Sequence, residues 1–162
     1  MSDGPILIRR RAPGEIGWII HRHGALYAAE YGWDESFEAL VAEIAGRFLK
    51  SHDPQKERCW VAERDGEIVG SVMLVDAGGG MAKLRLLYVE PAARGLGLGR
   101  RLVEETLRFT KAAGYRGVTL WTNDVLVAAR HIYEAAGFAL IGSERHHSFG
   151  KDLVGENWEK AL

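Results

Sequence analysis

The stretch VEPAARGLGLGRRLVEETL, residues 89–107, constrains the fold of this chain more than any other. A branched apolar run leads into it, and behind it Leu98, Leu102, Val103, Leu107 and Thr110 recur at helical spacing. Gly95, Gly97 and Gly99 alternate with leucines between Arg94 and Arg100, so a strand passes into a helix through a turn almost free of side chains. The first four N–H groups of a helix lack intrahelical partners, and Ser, Thr, Asp or Asn usually covers some of them. AARGLGLG offers no such acceptor. Open donors, a backbone that a ligand can approach closely, the positive end of a helix and two arginines together suit a pyrophosphate. The bland alternative is a tight turn that needs glycine for its backbone alone.

Around this junction the pattern is that of a mixed α/β chain. ILIRRR (6–11) reads as a strand, with its three arginines on a solvated face, and Pro13-Gly14 closes it. Ile16, Ile19, Ile20, His23, Tyr27 and Tyr31 follow at helical spacing, although Gly17 and Gly24 weaken that helix. Phe37, Leu40, Val41, Ile44, Phe48 and Leu49 make a clearer one, capped by Asp34 or Ser36. CWVAE and IVGSVMLVD flank Asp65-Gly66, a dipeptide that tight hairpins favour, and MAKLRLLYVE returns as a further strand. After the glycine stretch and its helix come the strand GVTLWTN (117–123), a helix from a cap at Asp124 to Ala136, and two closing strands. The resulting order is β-α-α-β-β-β-α-β-α-β-β, a mixed sheet with helices, expected as one domain over residues 1–162.

Composition excludes several functions. The net charge is −1 with no long run of like charge, so neither a nucleic acid nor an anionic membrane is expected as a partner. No run of 18 apolar residues and no basic, apolar leader occurs, and the single cysteine permits no internal disulfide; a cytoplasmic protein is expected. Cys59 opens the apolar run CWVA and reads as buried rather than nucleophilic. Two other phosphate loops compete for the glycines. A nucleoside-triphosphate loop needs Gly-Lys-Ser/Thr, which is absent. A dinucleotide fingerprint needs G-x-G-x-x-G; here the spacing is G-x-G-x-G, and too little chain follows for the usual sheet, though Asp124 ends the next strand where a ribose-binding acid would sit.

LLYVEPAARGLGLGRRLVEETL resembles the acyl-CoA signature of the GNAT acetyltransferase superfamily, Arg-x-x-Gly-x-Gly/Ala, which Arg94, Gly97 and Gly99 match. ARHIYEAAGF is similar to that family's second motif, a helix with a tyrosine followed by Gly-Phe. A narrower resemblance, to the GNAT domain fused behind MarR-type winged-helix regulators, rests on HRHGALYAAEYGWDESFEALV, ERCWVAERDGEIVGS and HHSFGKDLVGENWEKAL. No winged helix is expected before the first strand, and hence no DNA binding.

The resemblance implies a GNAT fold and direct transfer of acetyl from acetyl-CoA to a primary amine, with CoA as product, no metal, and a monomer or homodimer. It places the pantetheine arm against Leu87, Tyr88 and Val89, in a splay between the fourth and fifth strands. The pyrophosphate falls to Gly95, Leu96, Gly97, Leu98, Gly99 and Arg100 beside Arg94. Tyr133 becomes the proton donor to the leaving thiolate, although Leu126, Ala129, Tyr133 and Ala136 also share a helical stripe that reads as core. Where relatives carry an asparagine seven residues before the tyrosine this chain has Leu126, and Asn123 is the expected substitute. Early in the fourth strand, where several members carry a basic glutamate, stand Lys83 and Arg85. They suit a substrate carboxylate or, equally, a solvated edge of the sheet. Glu30, His21, His23 and His146 are the candidate bases, each with a structural alternative, and water alone is another. Glu30, Tyr31, Trp33 and Arg85, with Tyr27, are the candidate acceptor residues, suiting a small, amino-acid-like amine. His146 and His147 either line the pocket or close a dimer. A non-catalytic acyl-CoA sensor and a nicotinamide-dinucleotide enzyme are the alternatives.

Overall fold

A computed structural model describes residues 4–162. The strands are β1 (Leu7–Arg10), β2 (Arg58–Arg64), β3 (Glu67–Gly78), β4 (Met81–Val89), β5 (Gly117–Asn123), β6 (Ala139–Ser148) and β7 (Lys151–Ala161). The helices are α1 (Glu15–Tyr31), α2 (Glu35–Ser51), α3 (Leu98–Ala112) and α4 (Val127–Ala135), with a 3-10 turn at Pro91–Ala93. One seven-stranded sheet runs β1-β2-β3-β4-β5-β7-β6, antiparallel except where β4 meets β5. This is the mixed α/β order the sequence implies.

Alternation along β2 and β3 distributes the core between the two faces of the sheet. Trp60, Ala62, Val72 and Leu74 pack with Leu98, Leu102 and Val103 of α3. Cys59, Val61 and Met73 point the other way, onto Ile16, Ile19 and Leu26 of α1 and Ala45 and Phe48 of α2. Burial raises the Cys59 thiol to about 12, which keeps it protonated and unreactive. Asp65 and Gly66, both with positive φ, form the two-residue turn between β2 and β3. Asp34 caps α2, its carboxylate accepting the Ser36 N–H at 2.9 Å.

Two local expectations fail. Asp124 caps nothing: its N–H bonds the Val154 carbonyl at 3.0 Å, and α4 starts later, at Val127, behind Leu126 with no side-chain cap. The pairing of β5 with β7 ends at Asn123, and the Asp124 N–H bond extends it by one residue, so the expected cap is still tied to the sheet. Arg9 is not a solvated arginine either, since Glu15 and Glu63 hold its guanidinium at 2.6 and 2.9 Å. Glu63 is distant in sequence and arrives only with the fold, while Glu15 is six residues on, at the start of α1.

Candidate active site

The parallel pairing of β4 with β5 lasts only from Met81–Gly117 to Lys83–Thr119. Beyond it the strands diverge. The divergence begins where β4 is irregular: Leu86 has φ 51°, and pairing with β3 jumps from Met73–Arg85 to Ser71–Tyr88. The Ser71 hydroxyl donates to the Leu86 carbonyl at 3.1 Å and holds this bulge in place. Glu90 N–H bonds the Val69 carbonyl at 2.8 Å, so antiparallel alternation turns Tyr88 toward β3 and the amides of Leu87 and Val89 into the gap.

At the head of the gap stands the glycine turn. Gly95 and Gly97 have φ of 80° and 75°, a region that side chains other than glycine's enter at a cost. Gly99 serves a different purpose: a Cβ there would lie 2.5 Å from Ile132 Cδ1, so the third glycine lets α3 and α4 approach. Gly97 caps α3 without a side-chain bond, and the first intrahelical bond is Arg101 N–H to the Gly97 carbonyl at 3.1 Å. Among the described residues the N–H groups from Gly95 to Arg100 have no protein acceptor. The uncovered donors expected from the sequence are present, and they fit a diphosphate.

These donors border a cavity of about 330 Å³. Leu87, Tyr88, Val89, Arg94, Gly95, Gly97, Leu98, Gly99, Arg100, Glu30, Tyr31 and Tyr133 all line it. Leu96 does not; it is exposed at the turn. Asn123 and Trp33 do not either. They line a second cavity, also about 330 Å³, together with Arg85, Lys83, His23 and Phe37. The two cavities share Tyr27, Leu87, Leu126 and Tyr133. Both are near the small end of ligand sites, the size of a narrow arm or a small metabolite.

Tyr133 therefore stands at the partition. It is buried, and its hydroxyl has no protein hydrogen bond among the described residues. Burial pushes the phenol far up, since the phenolate loses its solvation. The helix that carries it is fastened to β7 by Arg130, whose Nε donates to Glu156 at 2.8 Å, while Trp158 donates to the same carboxylate oxygen at 3.2 Å.

Several sequence-derived candidates have other partners. Arg94 forms a two-pronged ion pair with Glu30, at 2.6 and 3.0 Å, which ties the end of α1 to the turn before α3. Arg22 and Glu90 make a second such tie at 2.7 and 2.8 Å. Glu30 is thus occupied and is not a free base. Asn123 is buried with its Oδ1 2.8 Å from His146 Nε2, and His146 Nδ1 lies 2.8 Å from the Ser148 hydroxyl, so both residues hold β5 against the closing hairpin. His147 is exposed and faces Asp152. Trp33 packs with Phe149 and Leu153 as core. His23 is buried; its Nδ1 bonds the Ile19 carbonyl at 2.8 Å, and desolvation lowers its pKa to about 4. Sequence reasoning missed Leu26, Ala93 and Ile132 in the first cavity; Ile132 and Ala129, beside Tyr133 on the helix, carried the available signal.

Residues 55–140 match the family model of the acetyltransferase (GNAT) domain. An uncharacterized N-acetyltransferase of Schizosaccharomyces pombe is 33% identical over 113 residues, 69% of either chain. The chain belongs to the GNAT acetyltransferases. The human N-acetylaspartate synthetase is 32% identical over 108 residues, 66% of this GNAT chain but only 35% of that protein's length. In fold, the chain superimposes on yncA from Salmonella typhimurium, a structure containing acetyl-CoA, with a TM-score of 0.76 at 18% identity over 98% of this chain and 94% of that one. No described helix is long and apolar enough to cross a membrane.

Proposed function

We propose that this GNAT domain transfers an acetyl group from acetyl-CoA to the primary amine of a small molecule, both substrates meeting at Tyr133. The observation that carries the reading is the pair of cavities joined at that tyrosine, one bordered by the open amides of residues 95–100 and the other by none of them. Those amides and Arg100 would hold the diphosphate, and the Leu87 and Val89 edge of β4 would pair with the pantetheine arm. The bound thioester supplies an acyl carbon open to attack and a sulfur able to leave.

The chain's own groups then perform three tasks. The β4 edge, open at the amides of Leu87 and Val89 while the Val89 carbonyl accepts from Arg94 Nε at 3.3 Å, orients the arm so that its end reaches the partition. Aromatic walls around Tyr27 and Tyr133 exclude water and strengthen every local dipole. Tyr133 keeps its proton at neutral pH and gives it to the sulfur as negative charge develops there, and the proton that the attacking nitrogen sheds restores the phenol. Burial raises the phenol well above its usual value, and the same dry site raises a thiol above its reference of about 8.5, so the thiolate left there is itself a strong base and takes the proton.

A small acceptor agrees with the second cavity's size, and the name of the human relative specifies an acetylated amino acid as its product, whose free amino acid is a small acceptor. Yeast-relative and family membership agree with N-acetyl transfer. Tyr133→Phe tests the reading: kcat for amine acetylation is expected to fall about 100-fold or more, in the range that loss of a general acid brings, while calorimetry still records acetyl-CoA binding. Full activity in the variant would overturn the assignment of Tyr133. Binding of acetyl-CoA without turnover of any amine by the native protein would make the domain a sensor instead.

A further inference from the structure

Several arginines of this chain face carboxylates. Arg9 has Glu15 and Glu63, Arg22 has Glu90, Arg94 has Glu30 and Arg130 has Glu156. Arg58 lies over the Phe109 ring at 4.3 Å. Lys83 and Arg85 have neither kind of neighbour. Both are half-buried on one face of β4, and among the described residues neither side chain has a hydrogen bond, an ion pair or a ring partner. Each is held below its ordinary pKa, by burial first and then by a neighbouring cation, Arg85 for Lys83 and Arg47 for Arg85. Two adjacent cations that lose solvation without gaining a counter-charge weaken a fold. Such a cost is kept where a ligand removes it.

Their location says where the missing anion belongs. Both line two cavities: one of about 450 Å³ already holds Glu43, Glu57 and Asp76, and the other, the second cavity, holds no carboxylate and has Leu87 and Tyr133 in its wall. At a strand rise of about 3.4 Å per residue, Arg85 sits at most roughly 7 Å and Lys83 at most roughly 14 Å before Leu87, less what the bulge at Leu86 takes up. A guanidinium on a flexible stem spans the shorter distance to a group a few bonds from the reacting amine. The same cavity wall holds His23, whose Nε2 is buried without a partner. Its Nδ1–H is donated to the Ile19 carbonyl, which leaves Nε2 as a lone-pair acceptor. One end of the cavity thus lacks an anion and another lacks an N–H donor.

We propose that the acceptor is a primary amine that carries a carboxylate, an amino acid in the broad sense, with the carboxylate held by Arg85 and Lys83 and the amine directed toward Tyr133 past His23. The inference rests on the acetyl-transfer reading and narrows its substrate. Bidentate guanidinium–carboxylate pairing fixes orientation as well as charge, so Arg85 makes the larger contribution and Lys83 supplements it.

The test is thiol release from acetyl-CoA with L-phenylalanine, L-leucine and L-aspartate, each compared with its amide, the diamide in the case of aspartate. At least one acid is expected to exceed its amide tenfold or more in kcat/KM. Arg85→Gln and Lys83→Gln should bring that ratio toward one, and Arg85→Glu should invert the preference, so that 1,5-diaminopentane outperforms the acid. Calorimetry with acetyl-CoA verifies that each variant is folded, and if one is not, the acid-to-amide comparison on the native protein decides. Equal or better turnover of the amides overturns this inference alone. An unchanged ratio in the folded Arg85 variants does the same. No thiol release from any amine, with acetyl-CoA still bound, removes the transfer reading and this inference together.

Discussion

His23 illustrates how one side chain acquires its properties from neighbours far along the chain. Ile19 and Tyr27 surround it from its own helix, but Tyr88 of β4 and Phe37 of α2 close the remaining sides, with ring centroids 5.0 and 6.4 Å away. Burial lowers its pKa from 6.5 to about 4 despite the opposing Ile19 hydrogen bond and the Glu90 charge. The unfolded chain therefore binds a proton between those values that the folded chain refuses, and stability falls as pH drops through that window. The expected loss is about 3 kcal/mol between pH 7 and pH 4. Urea unfolding at a series of pH values checks it, because His23→Phe should flatten this part of the profile. The sequence placed His23 on the apolar stripe of a helix, which foretold burial; which groups would enclose it was not readable from local spacing.

At the scale of elements, the position of Tyr133 depends on how α4 is docked. Nine residues make a helix too short to be stable by itself, and it begins without a side-chain cap. Beside the packing of Tyr133, Ile132 and Ala129 on the core, its polar tie to the sheet is the Arg130–Glu156 contact, with Glu156 only 4% exposed. Arg130→Met strands that carboxylate, and is expected to cost about 3 kcal/mol and to lower kcat by loosening the tyrosine. Thermal melting and acetyl-transfer assays check the two effects. Arg130→Met with an undiminished melting temperature would mean that packing of Phe138 and Ile132 suffices. The tyrosine and the Gly-Phe after it were legible as a motif. Glu156 was not, because it sits in a closing strand 26 residues later and alternation alone marked it as neither buried nor paired.

Across the whole molecule, the decisive feature is a sheet that parts between two neighbouring strands. Amides of Leu87 and Val89 face that gap, so they should exchange rapidly with solvent deuterium in the free protein and become protected when acetyl-CoA is added. Amides of residues 98–100 should follow the same course. Hydrogen-exchange mass spectrometry reads both, and protection confined to other strands would contradict the placement of the pantetheine arm. By itself the sequence determined the order of elements, the hairpin at Asp65-Gly66 and the uncapped glycine turn. These follow from periodicity and backbone preference, which act over a few residues. Only the tertiary structure decided that Arg94 would face Glu30, that Asn123 would face His146, that Gly99 would serve helix packing, and that Lys83 and Arg85 would lack a counter-charge. Each depends on which residues distant in the chain arrive nearby, and short-range patterns carry no record of that.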